Sequence, residues 1–224
     1  MGVQLPRWVW IGAGALACVA GMVNAVGFLG FEHQAVTHLT GTTTLLGAAI
    51  AGEDLRAATH LAGLALAFMI GAALSGAIVQ DAALRLGRRY GVALALESAL
   101  LFASAYLFRR EAVSGAWLAA MACGLQDGMA TTFSGAVVRT THLSGMFTDL
   151  GIGLGHALRG LPLQRRRLSL CALIISSFLA GGVIGTFAFR RIGTDALLVP
   201  AVLTGVVGVG YAIYRQRTMG AAQA

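Results

Sequence analysis

Long apolar runs separated by short arginine-bearing joints set the pattern of this chain. Trp8–Phe31, Leu61–Val79, Leu168–Phe189 and Ala196–Tyr214 carry no charged residue. Each is about as long as the roughly 20 helical residues needed to cross a hydrocarbon core. Gly91–Phe108 and Ala112–Val138 are similar but hold one acid each, Glu97 and Asp127. Two more polar segments, about 36–52 and 140–158, lie between these runs. Strand-like alternation is absent, which argues against an outer-membrane barrel. The pattern predicts an all-α, polytopic membrane helical bundle of eight helical segments.

A polar block occurs twice. Thr37-His38-Leu39-Thr40-Gly41, followed by Thr44 and Leu46-Gly47, returns as Thr141-His142-Leu143-Ser144-Gly145, followed by Thr148 and Leu150-Gly151. Gly21-Met22-Val23-Asn24-Ala25 aligns with Gly124-Leu125-Gln126-Asp127-Gly128, and Phe68-Met69-Ile70-Gly71 with Phe178-Leu179-Ala180-Gly181. Residues 1–224 therefore read as one integral membrane domain built from two homologous halves, an internal repeat over about 8–108 and 112–214. If all eight segments cross, the halves run parallel. If the two polar segments are broken or re-entrant, six full spans remain and the halves are inverted.

Arginine placement weighs on that choice. All 16 basic residues are Arg, against 9 acids. With six crossings, one side holds Arg7, Arg85, Arg88, Arg89, Arg139, Arg159, Arg165, Arg166, Arg167, Arg215 and Arg217. The other holds only Arg56, Arg109, Arg110, Arg190 and Arg191. Eight crossings give a more even split. The positive-inside rule thus leans to six, with both termini cytoplasmic.

Composition agrees with a membrane class: 57% of residues are hydrophobic and 11% charged, where a soluble domain has roughly a quarter charged. The net charge of +7 reads as orientation signal and lipid contact. No aromatic residues interleave the Arg clusters, so no nucleic-acid partner is expected. Cys18, Cys123 and Cys171 lie singly in apolar runs, as small buried residues do. The first run continues well past Cys18 and is expected to be a retained helix, not a signal peptide. Gly12-Ala13-Gly14-Ala15-Leu16-Ala17 mimics a dinucleotide fingerprint but has no preceding strand.

The order of motifs resembles the YoaK family of bacterial multi-pass membrane proteins, which has no established function. The residues that carry the resemblance are Asn24-Ala25, His38-Leu39-Thr40-Gly41-Thr42, Glu97 and Gln126-Asp127. The family's first-helix acid is Asn24 here, its second-half Asn is Asp127, and Thr42 replaces an expected Asn. The resemblance implies a helical fold and a bacterial inner-membrane location. It implies no substrate.

Polar side chains at membrane depth are the candidates for function. A charged carboxylate at the bilayer centre costs roughly 3 kcal/mol, so Asp127 and Glu97 each need a partner, water or a proton. Asp127 could serve ion or proton coupling, or simply bond to Asn24 of the other half. His38 and His142, at matching positions, suit a proton relay or solute contact. Thr37, Thr40 and Thr44 form one stripe, as do Thr141, Ser144 and Thr148; either stripe could line a path or satisfy carbonyls freed at a helix break. His142 and Asp149 share a face. Gln126 adds an amide beside Asp127. His60 and His156 sit near segment ends and are expected at the interface.

The expectation is a small-solute transporter or permease with a central polar site drawn from Asn24, His38, Thr40, Thr44, Glu97, Gln126, Asp127, His142, Ser144, Thr148 and Asp149. A channel of the same architecture, or a non-transport membrane subunit, is the alternative. No metal cluster, cofactor motif or catalytic constellation is legible, so enzyme activity is not expected. The partners expected are the lipid bilayer, an unidentified small solute or ion, and for some oligomeric states a second copy.

Overall fold

The computed structural model describes residues 6–30, 36–79, 89–134 and 138–220, without the side chains of Phe133 and 214–220. Arg85 and Arg88 lie outside the described residues. Eight α-helices follow in order: α1 (Arg7–Gly30), α2 (Leu39–Ala51), α3 (Leu55–Ile78), α4 (Arg89–Phe108), α5 (Ser114–Ser134), α6 (Leu143–Leu158), α7 (Arg165–Ile192) and α8 (Leu198–Gly220), with a 3-10 turn (Gly193–Leu197) before α8. No strand occurs among the described residues.

Four stretches are long and apolar enough to cross a membrane: Arg7–Gly30, Leu55–Ile78, Arg89–Phe108 and Arg165–Ile213, the last holding α7 and most of α8. The run expected at Ala112–Val138 forms α5 but is not among them. Gln126, Asp127, Thr131 and Thr132 lower its hydropathy. Other helices enclose it, and Ala119, Ala120, Leu125 and Met129 are fully buried. A helix shielded from lipid by its neighbours need not be apolar on every face.

Two helix pairs dominate the packing, α1 with α7 and α3 with α5. Both close on glycine. A β-carbon at Gly21 would collide with the Phe178 carbonyl, and one at Gly181 with the Cys18 carbonyl. In the other pair, Gly71 meets the Met121 carbonyl and Gly124 the Phe68 carbonyl. Each helix thus offers a carbonyl and, three residues on, a glycine. Small residues at such crossings let backbones approach where lipid supplies no hydrophobic drive, and bring Cα–H groups onto carbonyl oxygens.

The order of contacts gives the helix directions. Gly14 faces Leu173 and Ser177, while Gly30 faces Phe189 and Thr194, so α1 and α7 run parallel. Gly63 faces Trp117 and Gly128 faces Ser75, so α3 and α5 also run parallel. Gly91 faces Gly208 and Ala212, whereas Gly205 faces Ser98, so α4 and α8 are antiparallel. Val23 and Val26 cluster with the start of α5, and Val9 and Ala13 with its end, so α1 and α5 are antiparallel as well.

The short helices sit outside this core. The α2 helix packs on α3 and α6 on α7. Asp54 caps α3 by accepting from the Ala57 N–H at 3.0 Å, a standard N-cap bond. Arg167 clamps Asp149 through two bonds of 3.0 and 2.8 Å, joining α6 to α7. Arg109 and Asp195 pair between the end of α4 and the 3-10 turn. His60, near the start of α3, is buried against α5. Its ring stacks on Trp117 at 6.3 Å, and its carbonyl accepts from the Trp117 indole N–H at 3.2 Å.

Overpacking a tight contact costs about 1–3 kcal/mol. Gly71→Leu and Gly181→Leu are therefore expected to lower the melting temperature in detergent, while Gly76→Leu, which faces open space, leaves it near wild type. Tryptophan fluorescence on heating reads this; wild-type melting of Gly71→Leu would contradict the close approach.

Candidate functional site

The residues just before α2 and α6 pack back on α1 and α5. Asn24, on α1, receives the Thr37 N–H at 3.1 Å and the Thr37 hydroxyl at 2.7 Å on Oδ1. Asp127, on α5, receives the Thr140 N–H at 2.9 Å, the Thr140 hydroxyl at 3.3 Å and the Thr141 N–H at 3.4 Å, also on Oδ1. The two residues do not bond to each other. Each pins the chain thirteen residues ahead of it, just before a short helix. Both act as acceptors, a role an amide oxygen and a carboxylate share.

Gln126 extends this anchor across the bundle. Its Nε2 donates to the Leu16 carbonyl at 2.8 Å and to the Thr140 hydroxyl at 3.1 Å. It is 1% exposed, so these bonds satisfy an amide that would otherwise be costly to bury.

Glu97 differs, as does Ser75, whose buried hydroxyl has no partner among the described residues. Glu97 is 1% exposed, on the inner face of α4, and its Oε2 has no hydrogen-bond partner among the described residues. Nearby serines are engaged: the Ser98 hydroxyl donates to the Ala201 carbonyl and the Ser104 hydroxyl to the Gly115 carbonyl, both at 2.7 Å. A carboxyl group left unpaired at this depth is expensive. Such residues mark functional sites by default.

A cavity of about 120 Å³ lies between α1, α4, α5 and α8. Trp8, Tyr90 and Tyr211 contribute its aromatic part, and Val9, Leu16 and Leu94 much of its apolar wall. Tyr90, Leu94 and Glu97 share one face of α4 at helical spacing. Glu97 follows Leu94 by three residues, about 4.5 Å deeper along the axis. At the far end the same four helices are packed: Val23 and Val26 meet Leu101, Ala105, Ala119 and Ala201 in one buried cluster. Among the described residues, the bundle has a cavity at one end and is filled at the other.

Residues 12–210 match a family described as "Protein of unknown function (DUF1275)". The chain belongs to that family. No curated protein and no solved structure matched.

Within this DUF1275 chain, the sequence-predicted residues separate into three groups. Glu97 and Gln126 lie in the core beside the cavity-forming helices. Asn24 and Asp127 are half-buried loop anchors. His38, Thr40, Thr44, His142, Ser144 and Thr148 are exposed on α2 and α6. Thr44 donates back to the Thr40 carbonyl and Thr148 to the Ser144 carbonyl, each at 3.0 Å, within their own helices. The His38 ring lies over Gly41 and the His142 ring over Gly145. The His-x-x-Gly spacing is thereby explained as room for a ring at a helix start. Asp149 is engaged by Arg167. No group of three or more His, Cys, Asp or Glu able to hold a metal occurs among the described residues.

Sequence reasoning passed over Thr140, Tyr90 and Tyr211. Thr140 carries the contact to Asp127 that Thr37 makes to Asn24. Its signal was the doubled Thr140-Thr141 before His142. Tyr90 was visible as an aromatic at the head of the fourth run.

If Asn24 and Asp127 serve as acceptors only, Asp127→Asn leaves thermal stability close to wild type. Asp127→Ala strands buried donors and costs about 1–3 kcal/mol. Melting curves of the two variants check this; equal losses would point to a role for the charge itself.

Proposed function

We propose that this DUF1275 chain is a small-solute transporter of the bacterial cytoplasmic membrane, and that its resemblance to YoaK-like proteins extends to that location. Its two halves, about 8–108 and 112–214, form an inverted repeat with six full crossings. The α2 and α6 helices are short re-entrant elements, and both termini are cytoplasmic.

Helix directions support the inversion. Exchanging the halves maps α1 onto α5, α3 onto α7 and α4 onto α8. Parallel halves would make α1 and α5 parallel, and likewise α4 and α8; both pairs run antiparallel. The swapped pairs α1–α7 and α3–α5 map onto each other, down to the reciprocal glycine contacts. Transporters built on inverted repeats hold their substrate between the repeats near the midplane.

The observation that carries the transport reading is the difference between the two ends, with Glu97 buried between them. The α4 helix packs closely on α5, tied to it by a short turn. Its counterpart pair, α8 and α1, meets in few places, and the cavity lies beside that seam. A repeat that is open at one end and closed at the equivalent other end is half of an alternating-access cycle. The open end is the Arg-rich one, hence cytoplasmic. The packed end interrupts any continuous path, which disfavours a passive pore.

Proteoliposomes loaded with a pH-reporting dye and screened against small solutes test this. Wild-type protein is expected to move protons when its solute is added. Glu97→Gln is expected to cut that flux by at least about tenfold, equivalent to about 1.4 kcal/mol, while His38→Ala and His142→Ala stay near wild type. Solute-driven flux undiminished in Glu97→Gln would sink the assignment.

A further inference from the structure

Resting on the transport reading, and deepening it, we infer that the cleft between α1, α4, α5 and α8 binds a small organic cation, exchanged for the proton of Glu97.

The chemistry of the walls selects the class. The cleft offers aliphatic surface from Val9, Leu16, Leu94 and Val207 and aromatic faces from Trp8, Tyr90 and Tyr211. Aromatic faces attract cations, more so when water is excluded. Among the described residues no Arg or His lines it, and an anion beside them would be desolvated without a counter-charge. A polyhydroxylated solute would need many donors and acceptors. Among the described residues Ser134 is the hydroxyl on the wall besides the two tyrosines, and it already accepts from the Val138 N–H at 2.8 Å. The cavity, about 120 Å³, suits a small solute.

Charge complementarity comes from Glu97. Its carboxyl lies one turn below Leu94, on the same face of α4, with Oε2 unpartnered. Uncompensated, the ionised form is costly at this depth; a cation beside it offsets that cost. Cys123 on α5 and Tyr90 on α4 are near enough to feel its charge, with Asp127 acting in turn on Cys123 and Tyr211 of α8 on Tyr90. None of these is a cation at neutral pH. The α1 helix carries only Arg7, at its first residue, and Cys18, against Gly181 of α7.

The exchange balances simply. The O–H bond of the Glu97 carboxyl breaks, its proton leaves to water through the cleft, and the cation replaces it. One proton departs per monovalent cation, and net charge inside the bundle is unchanged. Binding should tighten as pH rises, by up to about tenfold per unit where Glu97 is mostly protonated.

Tetramethylammonium is the probe, since its permanent charge means it binds here only against an ionised carboxylate. Equilibrium dialysis of purified protein in detergent at pH 6 and pH 8 measures its affinity, and proton release into weak buffer measures the exchange. Saturable binding that tightens with pH, with about one proton released per cation, is expected. Glu97→Gln should lower affinity at least about tenfold and abolish proton release. Val207→Trp, at a half-open wall position, should block binding without unfolding the chain, and it carries the test should Glu97→Gln fold poorly. Tert-butanol (the neutral shape) and pivalate (the anionic one) should not compete. Competition by either, unchanged affinity in Glu97→Gln, or no saturable binding of tetramethylammonium would overturn the inference. If a Glu97-dependent solute flux survived any of those results, the transport reading would stand and only the cation class would fall.

Discussion

Four carbonyl oxygens, from Cys18, Phe68, Met121 and Phe178, occupy space that a β-carbon would otherwise fill on the helix opposite. The rest of the structure depends on that exclusion. In lipid, two helices gain little by hiding apolar side chains from an equally apolar solvent. What holds α1 to α7 and α3 to α5 is close backbone contact, with dispersion and weak Cα–H bonds summed along the crossing. Because each helix supplies both a glycine and a facing carbonyl, the contact also sets register. Register in turn places Gln126 against Leu16, and Asn24 and Asp127 under the loops they anchor.

That scaffold leaves one buried acid unexplained by structure alone. Gln126, Ser98, Ser104, Asn24 and Asp127 all have partners that knit helices or loops together. Glu97 is as deeply buried and its Oε2 has none among the described residues. The cavity lies above it on the same helix face, and the opposite end of the bundle is filled by Val23, Val26, Leu101 and Leu197. The proposed transport function draws on this contrast. The α4–α5 end is fastened by a short covalent turn, while α1 and α8, at the cavity, meet in few places.

Much of the helical order was legible in the sequence because hydrophobic run length is a strong signal. The runs Trp8–Phe31, Gly91–Phe108 and Leu168–Phe189 match α1, α4 and α7 closely. The glycine alignments, Gly21 with Gly124 and Gly71 with Gly181, pick out the residues that make the tight crossings. Other features needed three dimensions. That α5 is enclosed despite its polarity follows from neighbours distant in sequence. The Thr-His blocks looked like a central site because polar residues at membrane depth are costly. In the structure the Thr44 and Thr148 hydroxyls bond within their own helices, the Thr37 hydroxyl reaches Asn24, and the two rings rest on Gly41 and Gly145, local geometry that spacing alone does not reveal. No spacing could reveal that the Glu97 Oε2 has no partner among the described residues or that a cavity stops a turn above it.

The central claim is that the halves are inverted and interlocked, which puts one core carboxylate between two opposed ends. Inversion with six crossings places Arg89 and Arg159 on the same face of the membrane; eight crossings place them on opposite faces. The direct measurement uses Arg89→Cys and Arg159→Cys, each alone in a chain with Cys18, Cys123 and Cys171 replaced by Ala. A membrane-impermeant thiol reagent is applied to sealed right-side-out and inside-out vesicles. The account predicts that both sites react only in inside-out vesicles. Labelling of the two sites from opposite faces would contradict it.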